Sequence, residues 1–244
     1  MKAVILAAGA AKRLLPLTRE IPKCMLRVGP CSIIEHQLAA LESRGVGPVV
    51  VVTGHGGEQL RELLGDRVDC VHNSRYAETN SIYSLWMARE LVGEGFVLLN
   101  GDVLLDARLL GRLLDSPHPD ALLVDFRDDL SDPELMRVRV DGSRLVEISK
   151  QIPPDQAHGE NVGVLKFGEA GARRLFAEAD RLIGQGIVNR WAPYVYNVMA
   201  PDYPLHTVAV DGLPWVEIDF AEDLERARVE VLPLFSRTSE GNGA

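Results

Sequence analysis

Over the first hundred residues the apolar positions fall in short unbroken blocks, with the polar positions gathered between them. Residues 3–6, 48–52, 68–71 and 96–99 are rich in branched side chains and read as strands buried on both faces. Between them, residues 32–41 and 58–64 carry apolar residues at helical spacing, and Gly45 stops the first of these helices. Strand–helix–strand–helix–strand predicts a right-handed parallel α/β unit. One more helix is expected over 107–114, capped by Asp106.

Beyond residue 115 the pattern changes. Residues 121–125, 136–140 and 144–148 read as strands with turn chemistry between them, Asp141-Gly142 included, which predicts hairpin pairing. Residues 162–167 form a further strand and 168–183 a core-packed amphipathic helix. The fold expected is α/β: a Rossmann-like mixed, mostly parallel sheet flanked by helices, with a small antiparallel lobe. Residues 1–234 make one domain in two parts, about 1–115 and 116–234, and the polar, Gly/Ser-rich residues 235–244 read as a disordered tail.

Composition narrows the function. At 244 residues, 46% hydrophobic and 25% charged, the chain has the make-up of a soluble globular protein. It holds no apolar run long enough to span a membrane and no signal-peptide pattern, so a cytoplasmic protein without a membrane partner is expected. A net charge of −9 argues against nucleic acid as a partner. Cys24, Cys31 and Cys70 form no C-x-x-C pair and read as reduced thiols. An acidic chain that handled a polyphosphate would need local cations and a divalent metal to offset repulsion.

Residues 2–28 offer those cations. The first strand runs into Ala7, Ala8, Gly9, Ala10 and Ala11, small residues that let backbone N–H groups approach an anion. Lys12 and Arg13 follow, then Lys23 behind Pro22, which holds the chain extended. Taken singly, such a loop is often only a tight turn, and neither the P-loop nor the G-x-G-x-x-G spacing is present. Gly54 ends the second strand as Gly9 ends the first, and ligands of parallel sheets bind at those carboxyl ends. Thr79, Asn80 and Ser81 either cap a helix or, with Ser84, read a base edge. Asp102, beside Gly101 past the fourth strand, is either a turn aspartate or a place for Mg²⁺.

The compound pattern Leu6-Ala7-Ala8-Gly9, Arg13-Leu14, Pro16-Leu17-Thr18 and Pro22-Lys23 resembles the signature of the nucleotidyltransferases that make activated sugars and small alcohols. Tyr76-x-Glu78-Thr79-Asn80-Ser81-Ile82-Tyr83-Ser84-Leu85 resembles the phosphocholine and phosphonate cytidylyltransferases among them. The resemblance, not physics, picks cytosine. It implies the nucleotidyltransferase fold, with CTP as co-substrate and CMP transferred to a small phosphorylated alcohol or phosphonate, with pyrophosphate released. It implies a nucleotide site of Leu6, Ala7, Ala8, Gly9, Ala10, Gly54, Thr79, Asn80, Ser84 and Gly101, and Mg²⁺ held by Asp102 and Asp219. Arg13 would then grip the β- and γ-phosphates and Lys23 the α-phosphate, with Lys150 on the acceptor's phosphate and Glu160 beside it. On the residues alone Lys150 reads as a solvated strand-end lysine, and Asp219 with Glu222 as a capping box.

Trp191, Tyr194, Tyr196, Tyr203 and Trp215 crowd the last part of the chain. They either close the small lobe or, through Tyr194 and Trp215 with Glu217, hold an ammonium group of the acceptor. Where the family usually carries a second glycine this chain has Ala11, which costs energy if that position needs a positive φ. Two alternatives stay open: a sugar-1-phosphate nucleotidylyltransferase, and a catalytically silent nucleotide-binding regulator on the same fold. A homodimer is compatible with either.

Overall fold

Thirteen strands follow one another among the described residues: β1 (Lys2–Ala7), β2 (Arg27–Val28), β3 (Cys31–Ser32), β4 (Val49–Thr53), β5 (Asp69–His72), β6 (Phe96–Asn100), β7 (Val103–Leu105), β8 (Ala121–Phe126), β9 (Arg137–Asp141), β10 (Arg144–Ser149), β11 (Gly159–Phe167), β12 (His206–Ala209) and β13 (Trp215–Glu217). They are seen in a computed structural model that describes residues 1–235. The apolar blocks of the N-terminal half become β1, β4, β5 and β6, paired in parallel in the order β5-β4-β1-β6. Alternate residues face opposite ways, so Val4 and Leu98 enter one core while Ile5 and Leu99 enter the other.

The chain fills one side of β1 with β4 and β5, then crosses to the other side with β6. That reversal opens a crevice past the carboxyl ends of β1 and β6. The expected hairpin strands are present, and they do not form a separate layer. β11, β8, β12, β10 and β9 continue the same nine-stranded sheet, with β11 antiparallel to β6. Several elements had no sequence expectation, β7, β12 and β13 among them. β12 lies parallel to β8. β7 and β13 pair antiparallel as a ribbon of their own, matching Val103 with Glu217.

The helix Ile33–Ser43 is capped by Ser32 in a capping box with Glu35, and Asp106 caps Ala107–Asp115 as expected. A third apolar cluster lies under the β7/β13 ribbon, where Leu104, Val216 and Ile218 meet Leu224 and Ala227. Phe235 ends the helix Leu232–Phe235, so the chain is still helical where the tail was expected to begin. The rest of that expected tail, residues 236–244, lies outside the described residues. Among the described residues no helix is long and apolar enough to cross a membrane.

Candidate active site

A cleft of about 470 Å³ opens at the strand-order reversal. Its floor is Leu6, Ala8 and Gly9 from the end of β1, with Asn100 and Asp102 from the end of β6. Small residues are required here by contact. A Cβ on Gly101 would stand 2.7 Å from the Leu6 carbonyl oxygen, and one on Gly54 would stand 2.4 Å from that of Ala8. Ala11 has φ 43° and ψ 49°, so the residue that replaces the family's glycine does sit in the left-handed region.

At one end of the cleft, charge is concentrated and half hidden. Pro22 is extended, and Lys23 starts a short 3₁₀ turn that sends its side chain inward. The Lys23 Nζ lies 2.6 Å from Asp219 Oδ1 and 2.8 Å from Asp102 Oδ2. Burial works to lower the pKa of Lys23, but the two carboxylates outweigh it and hold the ammonium well above the ordinary lysine range. The turn carrying Asp102 is clamped from below. The buried Gln37 donates from Nε2 to the carbonyls of Asn100 at 2.7 Å and Val103 at 2.8 Å.

The β7/β13 ribbon brings the distant part of the chain to this point. Pairing of Glu217 with Val103, and an N–H of Ile218 donating to Asp102 O at 3.0 Å, set Glu217 and Asp219 beside Asp102. One oxygen from each of the three carboxylates lies within 4.8 Å of the others. Burial first, then the charges of Asp102 and Asp219, push the Glu217 carboxyl well above its usual range. Asp102 Oδ1 is buried and has no hydrogen-bond partner. Three hard oxygen donors, one of them orphaned, fit a divalent cation.

Asp219 does not cap the following helix, as its spacing to Glu222 had suggested, and its carboxylate lines the cleft. The helix starts at Ala221, and Asp223 accepts the N–H groups of Asp219 at 3.0 Å and Phe220 at 2.9 Å. Burial of Ile218 fixes the chain direction and turns the Asp219 carboxylate to Lys23 instead.

Along the side wall, Asn80 caps the helix Ser81–Met87, with Oδ1 accepting the Ser81 N–H at 2.8 Å, and it also lines the cleft. Thr79 and Ser84 line it too, yet their hydroxyls are engaged from behind by Asn73. That buried side chain donates from Nδ2 to Thr79 Oγ1 at 3.0 Å and Ser84 Oγ at 3.1 Å.

The other end is open. Lys150 Nζ lies 2.9 Å from Glu134 Oε2 and 5.4 Å from the Trp191 ring centroid. The same Glu134 oxygen is 2.8 Å from Arg13 Nη1, which lies 3.5 Å from Asp219 Oδ2. Hydrogen bonds from Lys150 and then Arg13 hold the Glu134 carboxyl below its usual range.

The cleft therefore collects Leu6, Ala8, Gly9, Arg13, Lys23, Thr79, Asn80, Ser84, Asp102, Lys150, Glu217 and Asp219 from the residues expected in a site. Ala7 and Gly101 line a smaller pouch beside Cys24. Five others stand outside both. Ala10 does not line the cleft, and Gly54 supports Ala8 from behind. Glu160 sits within β11, ion-paired with Arg127, and burial lifts its pKa to about 7. The exposed Tyr194 ring lies under Arg190, and Trp215 Nε1 donates to Asp125 at 3.2 Å. The expected aromatic cage does not assemble. Tyr196 is buried in the core and Tyr203 donates to Asp120, so Trp191 alone of the five aromatics reaches the cleft.

Sequence reasoning passed over Asn73, Glu134, Met136 and Asn161, all of which line the cleft. Glu134 lies in a polar run with no periodicity to mark it. Asn161 sits where β11 slips register against β8, next to Gly163 at φ 78°, and such bulges re-aim side chains.

Residues 3–184 match the MobA-like NTP transferase domain. The CTP:phosphoglutamine cytidylyltransferase of Campylobacter jejuni subsp. jejuni serotype O:2 is 27% identical over 252 residues, covering 92% of this chain and 98% of that protein. The CMP-5'-(3-aminopropyl)phosphonate synthase of Streptomyces rubellomurinus is 29% identical over 96% of this chain, which spans only 39% of that longer relative. Among solved structures, the inositol-1-phosphate CTP transferase from T. maritima is similar with a TM-score of 0.80 and 26% identity, covering 100% of this chain and 98% of the other. Glu217 and Asp219 lie beyond the matched stretch, so one part of the carboxylate group is supplied from outside it. With its strand order, its opening loop and this match over most of its length, the chain belongs to the MobA-like NTP transferase family.

Proposed function

We propose that the protein transfers CMP from CTP to a small phosphorylated alcohol or a phosphonate and releases pyrophosphate. The observation that carries this reading is the convergence on one cleft of Arg13, Lys23 and Lys150 around Asp102, Glu217 and Asp219. In-line transfer needs no covalent nucleophile; it needs two anionic reactants held together and charge stabilised at the α-phosphorus. The acceptor's phosphate or phosphonate oxygen forms the new P–O bond there, and the bond to pyrophosphate breaks.

Lys23 is the candidate for the α-phosphate. It is charged and mostly buried, and its ammonium stabilises negative charge that grows in the transition state. Arg13, half exposed at the mouth, suits the β- and γ-phosphates, because its planar fork matches phosphate oxygens. Lys150 at the open end holds the acceptor's anionic group. Asp102, Glu217 and Asp219 would hold a divalent cation such as Mg²⁺, which supplies a Lewis acid for the triphosphate. Glu217 thus moves from the acceptor's ammonium, its expected partner, to the carboxylate group.

Cytosine is supported by the near full-length similarity to a CTP-using relative. On the wall, Asn80 uses its Oδ1 for the Ser81 N–H, which leaves its amide donors for the acceptor edge of a base. The test is pyrophosphate release, with each of the four nucleoside triphosphates run against phosphomonoesters, phosphonates and sugar 1-phosphates. Release with CTP and a non-sugar acceptor is expected. Release with a sugar 1-phosphate alone would transfer the protein to the sugar-nucleotide enzymes, and CTP failing both to react and to bind would end the proposal.

A further inference from the structure

At the open end of the cleft, the Glu134 carboxylate is shared by two cations, Arg13 and Lys150. A single oxygen, Oε2, accepts from Arg13 Nη1 at 2.8 Å and from Lys150 Nζ at 2.9 Å. Arg13 and Lys150 belong to segments far apart in the chain, and nothing else bridges the two side chains in the observed contacts. The bridge does not hang on a loose loop. The buried Arg137 guanidinium donates to the carbonyls of Leu130 at 2.8 Å and Asp132 at 2.9 Å on the Glu134 side, and of Lys150 at 2.8 Å and Ile152 at 3.3 Å on the other. The Glu134 N–H is itself fixed at 2.8 Å to Asp132 Oδ1. With both backbones tied to one guanidinium, the bridge opens by rotation of the Glu134 side chain rather than by movement of the loop.

A carboxylate shared between two cations holds the place of an anion at each of them. We infer that Glu134 is a positioning residue that couples the two substrates, because a phosphate arriving at either cation expels the carboxylate from both. This rests on the reading that Arg13 and Lys150 serve phosphates of different substrates. Repulsion between the incoming anion and the carboxylate drives Glu134 out, and the second cation is then unpaired and facing the cleft. Binding of one substrate prepares the site for the other, and by linkage the coupling is equal in both directions. Because the bridge is about half exposed, each contact is a modest one, so the coupling is a few-fold effect.

Lys150 also competes with Arg13 for the same carboxylate. Removing Lys150 leaves Glu134 wholly to Arg13, which weakens nucleotide binding through the shared carboxylate. The test is CTP affinity by calorimetry, with magnesium, in the wild type, Glu134→Gln, Lys150→Ala and the double variant. The expected result is about three-fold tighter binding in Glu134→Gln, and about three-fold weaker binding in Lys150→Ala that disappears in the double variant. Unchanged or weaker binding in Glu134→Gln overturns the inference. So does a Lys150→Ala loss of equal size in both backgrounds, which would be plain electrostatics. Arg13→Ala separates the two levels. If it leaves CTP affinity intact, the assignment of Arg13 has failed. If it weakens CTP while Glu134→Gln tightens nothing, the coupling alone has failed.

Discussion

The two ends of the cleft are built to different standards. Around Lys23 every charged group is fixed more than once: the ammonium has two carboxylate partners, Asp102 rides on a turn clamped by Gln37, and Asp219 hangs from a paired ribbon. Around Lys150 the partners are a half-exposed glutamate and a half-exposed indole. Groups that act on the α-phosphate must keep one geometry, since positional error there costs rate directly. The lysine proposed for the acceptor is bordered by Glu134 and Trp191, half-exposed side chains that can be exchanged without disturbing the sheet. On the proposed reading, chemistry is held by the buried end and selectivity by the open one.

The largest break in that contrast is Lys23→Ala. Turnover is expected to fall by at least ~10²-fold, the scale for losing one charge-stabilising contact, as read by pyrophosphate release, while circular dichroism still shows a folded chain. A variant that keeps its rate would remove Lys23 from the chemistry.

Next come two neighbours with opposite expectations. Asp219→Asn should lose turnover on a similar scale without lowering the melting temperature, because Asp219 does not cap the helix. Asp223→Ala should lower stability by about 1 kcal/mol, the usual worth of a cap, and leave most of the turnover. Melting curves and rates on both variants separate the roles, and a reversed pattern would return the cap to Asp219.

A smaller effect is expected at Glu160, outside the cleft. Its pKa of about 7 in the folded chain lies above the unfolded carboxylate value, so the native state takes up the proton more readily. The stability from this group is therefore fully present below about pH 4.5 and is lost as pH rises through 7. Glu160→Gln cannot titrate. Its melting temperature should match the wild type near pH 5 and exceed it by pH 8, by an amount equivalent to about 1–2 kcal/mol. A difference that does not change with pH would refute the assignment.

The smallest effect is at Ala11. Glycine there removes the cost of a left-handed alanine, about 1 kcal/mol, and gives part of it back as unfolded-chain entropy. Ala11→Gly should raise the melting temperature slightly, and a fall would mean that the alanine methyl group contributes packing.

The sheet's parallel half could be read from the sequence because each of its strands is an unbroken apolar block closed by small or turn residues. The opening loop could be read for the same reason, together with its cations. β12 could not, since its four residues are only half buried and carry no alternation. β7 could not either: Val103-Leu104-Leu105 follows Asp102 directly and merges with the strand before it. Missing β7 hid what Glu217 meets, because its neighbour is set by pairing across the ribbon rather than by anything near it in sequence. The capping register failed by one residue for a related reason. Local spacing favoured Asp219, while burial of Ile218 decided the outcome. Glu134 shows the same limit, as a contact between loop side chains leaves no periodic trace.

The ribbon of β7 and β13 also sets an order of events. Lys23 meets Asp219 across 196 residues of chain. Contacts of such separation form late, both in refolding and as a chain emerges from the ribosome. The glycine-bearing loop and the first four strands of the sheet can be in place while the carboxylate group is still one-third complete. A growing chain would then hold the parts of a nucleotide pocket before it holds the means to use them, and the later-made residues 215–219 would complete what residues 6–23 begin.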